Sequence, residues 1–171
     1  HAGYIKRIAA DVYKSQRRGG KGLTAMSTRE EDFVEHLFVT STHNYIMFFT
    51  NQGRAFRLKA YELPEASRTA KGTAIVNLLQ LSQGEKIAAV MPIEDYSADK
   101  YVLMATRNGL IKKTKLEEYS NIRKSGIQGI TLKENDELID ARITDGNSDV
   151  VMVTREGLSI RFDEKDVRPM G

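Results

Sequence analysis

The chain has 171 residues, 29% charged and 40% hydrophobic, with a formal net charge of +3 and neither cysteine nor tryptophan. This is a soluble globular composition, long enough to bury a real core in one or two domains, and far from disorder or collagen. Disulfides and thiolate metal sites are excluded, no apolar run approaches the roughly 18 residues of a membrane span, and there is no secretory apolar core near the N-terminus.

His1, His36 and His43 fall in no metal-ligand spacing, and a cytoplasmic location is expected. The small net charge conceals a segregation of sign. Residues 1–24, 54–71 and 107–126 together hold 17 basic and 5 acidic residues, which leaves 9 basic and 18 acidic elsewhere. Such a separation is an electrostatic footprint for a polyanion. Its plain alternative is a set of solvated basic hairpins.

In chain order, Gly3-Tyr-Ile-Lys-Arg7 reads as a short strand after a glycine. Gln16-Arg-Arg-Gly-Gly-Lys-Gly22 follows, with Arg17, Arg18 and Lys21 among Gly19, Gly20 and Gly22 and no acid. Glycine admits φ > 0 and close approach of a ligand to the backbone, and arginine presents a planar fork matched to phosphate. Successive N–H groups in such a turn form an anion-binding nest. This is not a Walker A loop, which needs Gly-x4-Gly-Lys-Ser/Thr; here Gly22 follows Lys21 and Ser15 stands where the first glycine belongs.

Residues 29–38 and 116–122 have room for short helical turns and nothing longer. Tyr45-Ile-Met-Phe-Phe-Thr-Asn-Gln-Gly53, Tyr101-Val-Leu-Met-Ala-Thr-Arg-Asn-Gly109 and Val150-Val-Met-Val-Thr-Arg-Glu-Gly157 align as an apolar run followed by Thr-x-x-Gly. A basic residue stands four positions after each glycine: Arg57, Lys113 and Arg161, with Arg7 in the same frame. The glycines are spaced by 50, 56 and 48 residues. A period near 50 indicates a propeller, solenoid or array.

Within a unit, the first run is apolar on both faces and predicts a buried inner strand, and Thr-x-x-Gly predicts a hairpin loop. The second strand alternates. A polar Arg/Gly segment follows (Arg68–Gly72, Arg123–Gly126, and Arg18–Gly22 at the head of the chain). Then come a third apolar strand (74–81, 127–132), an acidic turn and a fourth strand (87–92, 138–143). Four strands per repeat is the count of a propeller blade, so the chain is predicted to be all-β. A helical array is disfavoured because apolar residues at 3.6 spacing are missing. Kelch and WD-type propellers share the period but not the signatures. The predicted organisation is one domain over 1–171, with repeats at 1–44, 45–100, 101–149 and 150–171.

No catalytic constellation emerges. Glu30/Glu31 and Glu117/Glu118 lie in charge-rich stretches, no serine sits in a nucleophile elbow, and the tyrosines occupy packing positions.

The repeats and the Gln16–Gly22 box together resemble the C-terminal domain of the bacterial DNA gyrase A subunit, whose gyrase A-box the seven residues match in full. Glu31-Asp-Phe33, Tyr61-Glu-Leu-Pro-Glu-Ala66, Ile75-Val-Asn-Leu-Leu79 and Val167-Arg-Pro-Met-Gly171 extend the resemblance along nearly the whole chain. The resemblance implies a β-pinwheel, a propeller-like fold whose blades borrow strands from their neighbours. It also implies a basic rim around which double-stranded DNA wraps, so that the ATP-driven enzyme introduces negative supercoils. The catalytic residues, ATP and Mg of that enzyme belong to the gyrase A and gyrase B subunits outside this domain, and no cofactor is expected in this chain. The family carries about six blades, and three with part of a fourth are expected here. The chain is thus read as a truncated fragment whose open strand edges invite self-association.

The rim contacts so implied are Gln16, Arg17, Arg18, Gly19, Gly20, Lys21 and Gly22 in the box, Arg68 and Lys71 in the second repeat, and Lys112, Lys113, Arg123 and Lys124 in the third. Lys6, Arg7, Arg54, Arg57 and Lys59 are secondary candidates, and the balanced charge of residues 155–168 predicts the weakest contribution. A topoisomerase IV-type DNA-delivery domain and a propeller that binds an acidic protein are the alternatives.

Overall fold

The computed structural model describes residues 3–12, 35–96 and 99–171; the Gln16–Gly22 box lies outside the described residues. The described residues form eleven strands, all paired antiparallel: β1 (Tyr4–Ile5), β2 (Tyr45–Thr50), β3 (Arg54–Lys59), β4 (Thr73–Ala74), β5 (Ile87–Ile93), β6 (Tyr101–Thr106), β7 (Ile111–Lys115), β8 (Ile127–Gln128), β9 (Leu138–Thr144), β10 (Asp149–Val153) and β11 (Ser159–Asp163). Helical structure among the described residues is limited to single 3-10 turns, such as Ala60–Glu62, Leu116–Tyr119 and Glu164–Asp166.

The hairpins form as the local sequence dictates. In each Thr-x-x-Gly turn the glycine N–H donates to the threonine carbonyl, at 2.9 Å for Gly53, 3.0 Å for Gly109 and 3.0 Å for Gly157. The threonine Oγ1 then accepts the N–H of the residue after the glycine: Arg54 at 3.2 Å, Leu110 at 3.0 Å and Leu158 at 3.1 Å. The three glycines have φ of 80°, 88° and 86°, the left-handed region that a side chain disfavours. One threonine hydroxyl thus closes the turn that its glycine makes possible.

The sheets exchange strands between units. The order β5-β2-β3-β8 joins three strands of the second unit to the third strand of the next one, through Arg54↔Gln128 and Ala55↔Ile127. The same step joins β4 of the second unit to β1 of the first, through Tyr4↔Ala74 and Ile5↔Thr73. This is the borrowing of strands that the family resemblance implies, and the all-β architecture agrees with it.

The inner strand β2 is apolar on both faces because both are covered. Met47 and Phe49 pack toward the third unit with Val102, Met104, Leu116 and Tyr119. Ile46 and Phe48 pack the other way with Phe56, Leu63, Ile75 and Leu79. Each such side chain contributes about 1.5–3 kcal/mol on burial.

Two expectations need correction. The third strands, expected over 74–81 and 127–132, are only two residues long. Gly129 and Ile130 turn their N–H groups to Gly53 O at 2.7 and 3.2 Å, and Ile75 turns its own to Gly3 O at 3.0 Å. The chain therefore leaves the ladder, and Ile75 and Leu79, four apart across a 3-10 turn, enter the core. The run 150–153, expected to be a buried inner strand, leaves Val151 and Val153 61% and 68% exposed. Among the described residues β10 pairs only with β11 and has no fourth strand beside it.

Candidate nucleic-acid interface

In the first three units the cation four residues after the turn glycine points forward into the next unit. Arg7 Nε donates to Leu63 O at 3.0 Å, Arg57 Nη1 to Ser120 O at 2.7 Å and Lys113 Nζ to Glu164 O at 3.1 Å. Each acceptor lies in or just beyond the turn that follows the next unit's second strand. Arg57 and Lys113 also cover the first tyrosine of their own inner strand, at 4.3 Å from the Tyr45 ring and 4.6 Å from the Tyr101 ring. Arg161 pairs instead with Asp149 of its own hairpin.

This arrangement corrects one expected rim contact. Lys113 is 4% exposed and sits 3.7 Å from the fully buried Glu164 carboxylate. An ammonium so buried needs a partner, and its role is to join two units. Adjacent strand residues face opposite ways. Lys112, one position earlier on β7, is half-buried, and its Nζ donates to Gly129 O at 3.0 Å.

The Arg/Gly segments behave differently. In the loop 67–72 the Ala70 N–H closes on Ser67 O at 3.1 Å, and in the loop 123–126 the Gly126 N–H closes on Arg123 O at 2.8 Å. Gly72 and Gly126 then pass over the preceding unit's second strand. A Cβ at Gly72 would stand 2.4 Å from Ile5 O, and one at Gly126 2.9 Å from Ala55 O. Ile5 and Ala55 hold the same place in successive units, so glycine is required at both junctions among the described residues where a borrowed strand docks. Arg68, Arg123 and Lys124 on these loops are exposed, and their side chains make no hydrogen bond or ion pair among the described residues.

Lys71 is half-buried, 4.1 Å from the Tyr4 ring centroid. Lys59 donates to His43 O at 3.0 Å and covers Tyr45 at 3.9 Å. Lys6 and Arg54 hydrogen-bond to backbone carbonyls of the loops themselves. The structure thus separates Arg68, Arg123 and Lys124, which face outward, from Lys6, Arg54, Lys59, Lys71 and Lys112, which are engaged within the fold. Residues missed in the sequence include Glu85. Its buried carboxylate accepts from Thr50 Oγ1 at 2.6 Å, Ser82 N at 2.9 Å and Arg54 Nη1 at 2.8 Å. The sequence carries a signal, an acid in the turn before each fourth strand, but its side-chain partners Arg54 and Thr50 are 31 and 35 residues away. In the third unit, Asp136 lies below the usual carboxylate range. Partial burial opposes this, and the Thr106 hydroxyl with the Asn108 and Glu137 N–H groups outweighs it.

Strand exchange between repeated hairpins, with a basic loop at each junction among the described residues, defines a propeller-type module. A family model described as "DNA gyrase C-terminal domain, beta-propeller" matches residues 1–41, 44–94, 100–145 and 148–171. The chain belongs to this family. It is 58% identical over 171 residues to the DNA gyrase A protein of Clostridium acetobutylicum and 50% identical to that of Halalkalibacterium halodurans, in each case over 100% of this chain. It spans about a fifth of those relatives, 21% and 20% of their length. Among solved structures, the C-terminal domain of a DNA topoisomerase IV matches with a TM-score of 0.84 at 31% identity, over 99% of this chain and 51% of that one. A DNA gyrase A C-terminal domain matches with a TM-score of 0.73 at 27% identity, over 99% and 54%.

Proposed function

We propose that this chain is the duplex-DNA-binding and wrapping module of a DNA gyrase, and that it carries no bond-breaking chemistry itself. One observation carries the reading: the loops 67–72 and 123–126 recur at equivalent junctions and present Arg68, Arg123 and Lys124 outward. The box residues Gln16, Arg17, Arg18, Gly19, Gly20, Lys21 and Gly22, which lie outside the described residues, occupy the same place in the sequence frame and are proposed as phosphate contacts with them. Lys71 and Lys112, half-buried and engaged within the fold, contribute less.

Such cations position DNA without reading its bases. Bending a site of 20–30 base pairs costs on the order of 1–6 kcal/mol, which several phosphate contacts offset. With about 6–10 phosphates neutralised, affinity falls by about 10³–10⁵ between 50 and 200 mM salt. In this reading the module acts in the cytoplasm beside the remaining parts of the gyrase A and gyrase B subunits, which supply strand passage, ATP and Mg.

Ligation of nicked circles in the presence of the full-length protein tests the proposal. A wrapping module shifts the linking number of the closed product. An unchanged linking number together with salt-dependent binding would favour a DNA-delivery domain, the second reading, to which the match with a topoisomerase IV C-terminal domain lends support. Salt-independent binding would refute both.

A further inference from the structure

On the second strand of a unit, the first and third residues after the turn glycine share one face, since the side chains alternate with period two. In the first unit these are Tyr4 and Lys6, and in the second Arg54 and Phe56. Each pair holds one aromatic and one cation, in opposite order. Both cations reach the same target, the backbone of the next unit's basic loop. Lys6 Nζ donates to Ser67 O at 3.2 Å, Arg68 O at 2.6 Å and Ala70 O at 2.9 Å. These acceptors match the three N–H donors of an ammonium. Arg54 Nη2 donates to Ser125 O at 2.5 Å, while its Nη1 is held by Glu85 at 2.8 Å.

We propose that Lys6 and Arg54 are positioning residues for DNA: each reaches from one unit beneath the basic loop of the next and holds its carbonyls, so that Arg68, and Arg123 with Lys124, are presented to the phosphates already ordered. The proposal rests on the DNA-binding reading of these loops. It assigns Lys6 and Arg54 a role distinct from phosphate contact, because Lys6 donates into the loop backbone and Arg54 divides its donors between that backbone and Glu85. It also makes each unit's grip on DNA depend on its predecessor, since the anchor and the loop belong to different repeats. A loop left unanchored must be ordered as DNA binds, and that ordering weakens affinity.

Lys6 is the better residue to test, because removing Arg54 would also strip the buried Glu85 carboxylate of its partner. In the full-length protein, K6M, R68A, the K6M/R68A double variant and K6R are compared for duplex DNA affinity across a salt series. The expected loss for K6M is about five- to tenfold, as for a loop of a few residues that must be ordered on binding. The slope of log affinity against log salt should stay unchanged, K6R should recover most of the affinity, and K6M should cost little once Arg68 is gone. Amide exchange in residues 67–71 should quicken in K6M while β2 and β3 keep their protection.

A slope lower by about 0.9 would make Lys6 a phosphate ligand and overturn the proposal. So would equal K6M losses with and without Arg68, or no loss at all. If R68A itself leaves affinity unchanged, the DNA reading of this loop fails first. That outcome is distinguishable, because K6M then has no binding effect to convey while its effect on loop exchange persists.

Discussion

Removing the Glu164 carboxylate tests how successive units are joined. Lys113 and Glu164 form a buried ion pair, 4% and 0% exposed, in which Ser148 N–H also donates to Glu164 Oε1 at 2.7 Å. E164Q keeps the shape and that acceptor but leaves the Lys113 ammonium without a counter-charge, over the Tyr101 ring and one carbonyl. Breaking one side of such a pair costs about 3–5 kcal/mol, whereas replacing both partners by apolar groups is neutral or favourable. Ala60 and Leu116, buried at the equivalent place in the second and third units, show that the fold accepts apolar side chains there. The K113M/E164L variant is therefore expected to match or exceed the parent in stability. With a urea m-value of about 2 kcal/mol/M, the E164Q loss would move the midpoint by about 1.5–2.5 M. The Met170 amide, which donates to Lys113 O at 2.7 Å, reports the same junction by hydrogen exchange. Equal losses in E164Q and in the double variant would refute the reasoning. A salt slope of DNA binding reduced by about 0.9 in K113M/E164L would return Lys113 to the rim.

Three further outcomes are expected. G72A should cost more than the roughly 1–3 kcal/mol of left-handed strain alone, because the new Cβ meets the Ile5 carbonyl at 2.4 Å; G84A, at φ 76° with nothing within 4 Å, should cost only the strain. Differential urea titration of the two variants decides this. T50V should lose about 1–3 kcal/mol, since it removes the donor that faces the buried Glu85 at 2.6 Å and the acceptor of the Arg54 N–H; thermal unfolding measures it. Burial raises the Tyr119 phenol to about 12, against the opposing influence of the nearby Thr114 hydroxyl and with a smaller push from Glu118. An unfolded chain ionises this tyrosine near 10, so the stability it contributes is fully present below that pH and is lost as pH rises toward 12. The loss is on the order of 2–3 kcal/mol. Stability measured from pH 9 to 12 should therefore fall less steeply in Y119F than in the parent.

The hairpins are legible in the sequence because everything that makes them is local. Thr50, Gly53 and Arg54 close their turn within four residues, and two-sided apolar runs such as 46–49 announce strands covered on both faces. The period near 50 and the family resemblance lead from there to propeller blades that exchange strands. The glycine before each borrowed strand is visible as well, although its reason, a neighbour's carbonyl under the missing Cβ, is not.

The repeat, the all-β character and the segregation of basic loops follow from the order of residues alone. Which cations face outward depends on how the units pack. Lys112, Lys113, Arg123 and Lys124 are chemically alike on paper, but the partner of Lys113 lies 51 residues away and the carbonyls held by Lys6 lie 61 to 64 residues away. Local propensity carries no information over such separations. A buried charge is committed by whatever the fold places opposite it, and for Lys113 that is the neighbouring unit.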